Sequence, residues 1–284
     1  MAISLRFPEE AILSSRAFDV TEELDFLNDK NFQETPHFDT SKAFVRWNCQ
    51  LRGTHSKKIV NSKLIVKTLL VAAPGSAQQC MQTIVTCGEW NAIGAIVVTN
   101  LIPTHIQLKD PTLTCGCTIY SPHSVNDDAF GDLIVIICAQ KVPNDATCVW
   151  RKALENHFQC EEIICLDSQL RTIYSTPHEN LNDTAVLKTL SSSATKRDDL
   201  HRITASFPIF HTPQFVTGVS AALLTHGEMN DCCVRLYICT HSASTTKEEC
   251  VRCFLPILPF LNLTSYQHPI QALRVQESLN LLYI

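Results

Sequence analysis

Short runs of β-branched and other apolar residues recur along the chain and alternate with segments of helical pattern. Such runs, bounded by polar or turn-forming residues, are typical of β-strands. Several of them are apolar almost throughout, as strands covered on both faces of a sheet should be. We predict strands at 63–72, 95–99, 132–139, 161–166 and 233–240, with weaker candidates at 45–52 and 116–120.

Helical patterns follow several of these runs, and we predict helices at 76–88, 146–158, 215–226 and from about Thr245 onward. Ser76 is expected to cap the first helix and Gly227 to end the third. The alternation of strand and helix predicts an α/β fold class, with a mainly parallel sheet flanked by helices on both faces.

The distribution of charge and polar residues predicts three parts. Residues 1–41 form an acidic, partly disordered segment, since the first 40 residues hold nine acidic and three basic side chains. This segment is either a solvated arm or a surface for a basic partner. Residues 42–278 form a single α/β domain with a mobile loop near 175–206, where serine, threonine and charged residues cluster. Residues 279–284 form a C-terminal docking tail.

The composition and charge of the 284-residue chain argue against several classes of protein. The net charge is −5 and the sequence shows no basic stripe, so no nucleic-acid partner is expected. No apolar run approaches the roughly 18 residues of a membrane span. The N-terminus lacks the apolar region of a secretory signal, so the 14 cysteines are expected to be reduced in the cytoplasm, with the nucleus as an additional location.

The segment 73–76, Ala-Pro-Gly-Ser, lies between a predicted strand and a predicted helix. A helix N-terminus there could hold an anion. A single glycine is not a dinucleotide-binding motif, however, and a tight strand-to-helix turn with a serine cap is the favoured interpretation of the segment.

Two cysteine pairs have spacings that zinc ligands use. Cys115 and Cys117 with Cys250 and Cys253 could supply four thiolates. The alternative is that these thiols pack in the core as small apolar groups. Because the histidines are scattered and no nucleophile motif occurs, we expect no catalytic residues, no metal and no cofactor. The alternative activity is an α/β hydrolase or phosphorylase acting on a nucleoside-like small molecule.

The chain ends in Leu282, Tyr283 and Ile284. Two aliphatic side chains, an aromatic ring and a terminal carboxylate can act as a peptide anchor, in which the side chains fill a groove and the carboxylate is captured by lysine or backbone N–H groups. The composition is equally consistent with a tail that packs on its own domain.

A hydrophobic residue, tyrosine and any last residue is the C-terminal motif of several proteasome-binding factors. The chain resembles the proteasome assembly chaperone family in this motif and in the order and spacing of four further segments: 63–94, 207–224, 234–240 and 254–258. The resemblance does not extend to residues 1–40 and is poor at 101–130 and 175–206.

The resemblance implies a nucleoside-hydrolase-like α/β sandwich without catalytic residues. It implies a chaperone that forms a heterodimer with proteasome assembly chaperone 2, binds the outer face of proteasome alpha-type subunits and promotes assembly of the alpha ring. Leu282, Tyr283 and Ile284 would then insert into an alpha-ring pocket. A different adaptor of the same fold, with its tail packed internally, is a further alternative.

Overall fold

In a computed structural model of the protein, the described residues are 42–48, 59–60, 63–98, 116–122, 133–171, 185–195, 206–211 and 214–273. The acidic segment 1–41 and the tail 279–284 lie outside them. Within these ranges, no helix is long and apolar enough to cross a membrane.

The described residues contain nine strands that form one sheet in the order β1-β4-β5-β6-β3-β7-β9-β8, with the short β2 paired to the start of β3. The strands are β1 (Ala43–Trp47), β2 (Ile59–Val60), β3 (Lys63–Ala72), β4 (Trp90–Val98), β5 (Cys117–Pro122), β6 (Leu133–Cys138), β7 (Phe158–Leu170), β8 (Ala185–Ser191) and β9 (Cys233–His241).

The sheet is mixed, so the prediction of a mainly parallel sheet is wrong. The pairings β3–β6, β3–β7 and β7–β9 are parallel, whereas the other five described pairings are antiparallel. Parallel strands therefore occupy only the centre of the sheet. The sequence pattern misled us because an apolar run predicts burial on both faces of a sheet and carries no information about strand direction.

Five helices accompany the sheet in the described ranges: α1 (Ser76–Cys87), α2 (Thr147–His157), α3 (Gly218–Met229), α4 (Lys247–Arg252) and α5 (Gln267–Gln271). Three 3₁₀ segments occur as well, at Asn144–Ala146, Leu255–Leu261 and Thr264–Tyr266. The α/β class and the alternation of strands and helices in the body of the chain are as predicted.

Two separate hydrophobic cores lie on the two faces of the sheet. On the first face, α2 and α3 contribute Trp150, Leu154 and Leu223. On the second face, α1 contributes Met81 and Ile84, together with side chains from α4 and the 3₁₀ segments. Helices therefore cover both faces of the sheet, as predicted.

Two of the differences from the predicted pattern concern β8 and α3. Strand β8 lies within the segment 175–206, for which a loop was predicted, and it forms an edge of the sheet beside β9. Helix α3 continues beyond Gly227 to Met229. A Cβ on Gly227 would lie 2.6 Å from a Val234 methyl, so close packing of α3 on β9 explains this glycine better than a helix stop does.

The central position of β3 can be tested by paired truncations on the same strand. Leu69 is fully buried, so Leu69→Ala should lower the free energy of unfolding by about 2–5 kcal/mol through lost burial and a residual cavity. Ile65 is 42% exposed, and Ile65→Ala is the matched control, expected to cost about 1 kcal/mol or less. Denaturant unfolding followed by circular dichroism measures both, and equal losses would contradict the assignment of β3 to the centre.

Candidate functional site

The predicted docking residues Leu282, Tyr283 and Ile284 lie outside the described residues. The structure therefore gives no position for the tail. The best-defined polar site in the described part of the chain lies elsewhere, at the carboxyl ends of the central parallel strands.

This site arises because β7 is longer than its neighbour β3. The last residue of β3, Ala72, pairs with Leu166, while β7 continues to Leu170 alongside β9. Asp167, Ser168 and Gln169 therefore extend past the end of β3 and form one wall of a cavity of about 280 Å³. Residues 73–74, 141–142 and 217–220 form the remaining walls.

The cavity lies at a topological switch point, where the connections that follow β3 and β6 run to opposite faces of the sheet. These two strands are parallel neighbours. The chain leaves β3 into α1, which packs on the second face, and leaves β6 toward α2, which packs on the first face. In α/β sheets, a crevice opens where neighbouring strands send their connections to opposite faces, and ligands commonly bind there.

Asp167 is the central charged group of the cavity wall. Its Oδ2 accepts a hydrogen bond from the Ser220 hydroxyl at 2.6 Å, and its Oδ1 accepts one from the Ser168 N–H at 2.7 Å. The Ser220 oxygen also lies 3.4 Å from the Cys165 Sγ. These contacts hold the carboxyl group in one orientation between β7 and the start of α3.

Burial raises the pKa of Asp167 above its ordinary value, because removal of water disfavours the charged form. The hydrogen bonds from Ser220 and Ser168 and the charge of Lys141 act in the opposite direction and moderate this shift. An additional hydrogen-bond donor or positive charge beside Asp167 would therefore stabilise its ionised form.

The segment 73–76 forms the predicted strand-to-helix turn, although the helix cap differs by one residue. Gly75 occupies the cap position at φ 113°, and Ser76 is the first helical residue, so Ser76 does not cap α1 through its side chain. Instead, the Ser76 N–H donates to the Ser168 Oγ at 3.3 Å. This contact ties α1 to the extension of β7.

The cavity offers hydrogen bonds and charge. Ser168 and Ser220 contribute hydroxyl groups, and the exposed Lys141 contributes an ammonium group at the rim. No histidine occurs among the described residues that line it. The arrangement is suited to binding a small polar molecule.

The described cysteines of the two pairs considered as zinc ligands lie on different faces of the sheet. Cys117 faces the first core and lies 3.0 Å from the Cys138 Sγ, whereas Cys250 faces the second core. Cys253 packs against that same second core, and Cys115 lies outside the described residues. Within the described ranges, no group of three metal-binding side chains occurs.

Comparison with known proteins identifies the fold. No family model and no curated protein matches the sequence. Among solved structures, PbaB of Pyrococcus furiosus, an archaeal proteasome activator, matches with a TM-score of 0.56 and 10% identity, over 81% of this chain and 93% of that one. PbaA of the same organism, an archaeal homologue of proteasome-assembly chaperone, matches with a TM-score of 0.52 and 11% identity, over 80% of this chain and 85% of that one.

A protein of unknown function from Thermoplasma acidophilum matches to a similar extent, with a TM-score of 0.53 and 12% identity, over 79% of this chain and 89% of that one. The chain thus has the fold of PbaA and PbaB. At these identities the likeness carries the fold alone. The expected likeness to nucleoside hydrolases finds no support among these three structures.

Sequence reasoning located part of the cavity and missed its main charged group. Segment 73–76 was identified as a turn at which a helix N-terminus could hold an anion, and its residues 73–74 line the cavity. Asp167 was missed because the predicted strand ended at Leu166, where the apolar run ends. The available signal was the sequence Asp-Ser-Gln directly after a buried strand, since polar residues at the carboxyl end of such a strand often line a site.

The conformation of Gly75 can be tested by adding a single methyl group. Gly75→Ala should lower the free energy of unfolding by about 2 kcal/mol or more, since φ 113° is strained for alanine and its Cβ would lie 2.8 Å from the Ser168 Oγ. Gly218 has φ 67° with open space around it, so Gly218→Ala isolates the backbone cost, about 1 kcal/mol. Thermal and denaturant unfolding compare the two, and a Gly75→Ala loss no larger than the control would contradict the contact with Ser168.

The raised pKa of Asp167 predicts a pH dependence of stability. The folded protein holds this proton more tightly than the unfolded chain does, so the contribution of Asp167 to stability falls as the pH rises above about 4, the ordinary range for aspartate. Relative to the wild type, Asp167→Asn should therefore become progressively more stable as the pH rises through this window.

Denaturant unfolding across a pH series measures this trend. Asp145→Asn, which removes a carboxylate from an exposed position, is the control for a general loss of negative charge. Asparagine at position 167 can also weaken the bonds to Ser168 and Ser220, but that loss is independent of pH. A constant difference between Asp167→Asn and wild type over the whole series would contradict the raised pKa.

Proposed function

We propose that this chain is a non-catalytic proteasome assembly chaperone that binds proteasome alpha-type subunits. The observation that carries the proposal is the fold that about four-fifths of the chain shares with PbaB, a proteasome activator, and PbaA, a homologue of proteasome-assembly chaperone.

The finer part of the proposal is that the chain acts as proteasome assembly chaperone 1, in a heterodimer with proteasome assembly chaperone 2. Together the two chains would bind the outer face of alpha subunits and promote formation of the alpha ring in the cytoplasm or nucleus. The spaced sequence matches over 63–94, 207–224, 234–240 and 254–258 support this assignment.

The tail supplies a physical mechanism for reversible binding. Leu282, Tyr283 and Ile284 would fill a pocket between alpha subunits, with the terminal carboxylate paired to a lysine or to backbone N–H groups. Three residues give modest affinity because ordering them costs conformational entropy. A second contact supplied by the partner chain raises the effective concentration of the tail at its pocket. The complex is therefore stable while both contacts are made and dissociates readily once one is lost.

Deletion of residues 282–284 tests the role of the tail. The deletion should weaken binding of the heterodimer to purified alpha subunits at least tenfold, corresponding to about 1.4 kcal/mol, because both the buried side chains and the carboxylate are removed. Binding to the second chaperone should be unchanged. Calorimetry or surface plasmon resonance measures both affinities.

Two further variants sharpen the result. A glycine appended after Ile284 keeps all three side chains but displaces the carboxylate, so it should weaken binding nearly as much as the deletion does. Asn280→Ser, just before the motif, is the matched control and should bind like the wild type. Undiminished binding of the deleted chain would remove the tail from the mechanism, and a failure of the full-length chain to bind alpha subunits would refute the proposed function.

A further inference from the structure

We propose that the cavity at the carboxyl ends of β3, β6 and β7 is a binding site for a small hydroxylated anion of the size of a pentose phosphate. The proposal rests on three features of the cavity: a cationic side chain at its rim, a carboxyl group and a hydroxyl group in its wall, and its position in the sheet. Binding there requires neither the tail nor a partner chain.

The cationic side of the cavity is formed by Lys141, just after β6. Its side chain is exposed, and its charge reaches the cavity wall, where it partly offsets the rise that burial causes in the pKa of Asp167. Helix α3 begins at Gly218, which also lines the cavity, and the cap residue Thr217 makes no side-chain hydrogen bond to the N–H groups of the first turn. An ammonium group and the N-terminus of a helix in the same lining both favour an anionic group in the cavity.

The wall formed by Asp167 and Ser168 is suited to hydroxyl groups. Each Asp167 oxygen accepts one hydrogen bond from the protein, and a carboxylate oxygen can accept about two, so acceptor capacity remains for a ligand. The Ser168 hydroxyl accepts from the Ser76 N–H, which leaves its own proton to donate. A ligand hydroxyl can donate to Asp167 and accept from Ser168 at once.

The dimensions of the cavity limit the ligand. Its volume of about 280 Å³ equals that of about nine water molecules at roughly 30 Å³ each, and lies just below the usual range for drug-sized ligands. A pentose phosphate is of this scale, whereas a complete nucleotide is larger. The charges of Lys141 and Asp167 therefore favour a molecule with one anionic end and one hydroxylated end.

The wall that would bind the hydroxyl groups is held rigidly. Ser220 is 1% exposed and fixes Asp167 from α3, and the Ser76 N–H fixes Ser168 from α1. Two helices that do not follow one another directly in the chain thus hold two adjacent residues of β7. Preorganised polar groups of this kind bind a ligand without the cost of ordering side chains.

Isothermal titration calorimetry with the full-length protein tests the site, with ribose 5-phosphate as the probe. Saturable binding of one molecule per chain is expected, at least tenfold tighter than the binding of ribose alone or inorganic phosphate alone. Lys141→Met and Asp167→Asn should each weaken it at least tenfold, whereas Lys152→Met, an exposed lysine on α2 outside the cavity, should leave it unchanged. Because Lys141 is exposed, its substitution should not disturb folding, and thermal melting checks this.

Three outcomes would overturn the proposal. The first is no saturable binding of ribose 5-phosphate up to about 10 mM, a concentration that detects even Kd values near 1 mM. The second is binding that neither Lys141→Met nor Asp167→Asn weakens, because the molecule would then bind elsewhere. The third is binding of L-serine as tight as that of ribose 5-phosphate, because Asp167 would then select an ammonium group. Each result is independent of whether the chain binds alpha subunits.

Discussion

The parallel pairing of β3 with β6 on one side and β7 on the other is the constraint on which the rest of the structure depends. Two parallel neighbours require crossover connections, and a crossover over each face supplies a helix to each face. Both hydrophobic cores are therefore built on the same central strand, with Leu69 facing one core and Leu70 the other. Antiparallel strands extend the sheet outward from this centre without adding a third layer.

The unequal lengths of these central strands account for the polar cavity. If β7 ended level with β3, Asp167 and Ser168 would lie in a loop without fixed neighbours. Because β7 continues beside β9, backbone hydrogen bonds hold both residues in place, and α1 and α3 can reach them from opposite faces. Placing the Asp167 carboxyl group in a partly desolvated position costs free energy, and the stability of the sheet compensates for it. The hydrogen bonds with Ser168 and Ser220 offset part of that cost.

The sequence pattern could predict what depends on local burial. It located β3 with its observed bounds and α1 to within one residue, because these elements are marked by unbroken apolar runs or by clear boundary residues. It did not predict β8, whose Lys188 and Thr189 resemble a loop, and it did not predict the strand directions. Edge strands and strand directions depend on neighbours distant in sequence. Asp167 was missed for the same reason, since its role depends on where β3 ends.

The fold and the proposed function depend on different parts of the chain. The central strands and their two cores account for the fold that the chain shares with PbaA and PbaB at 10–11% identity. A core requires side chains of suitable total volume and a suitable pattern of apolar positions, and very different sequences can meet both requirements. A shared fold does not by itself confer a shared partner, which depends on specific surface groups. Under the proposed function those groups would be Leu282, Tyr283 and Ile284, and they would need nothing from the fold beyond a stable body that presents them. The cavity at Asp167 differs in this respect, because its geometry exists only as a consequence of the sheet.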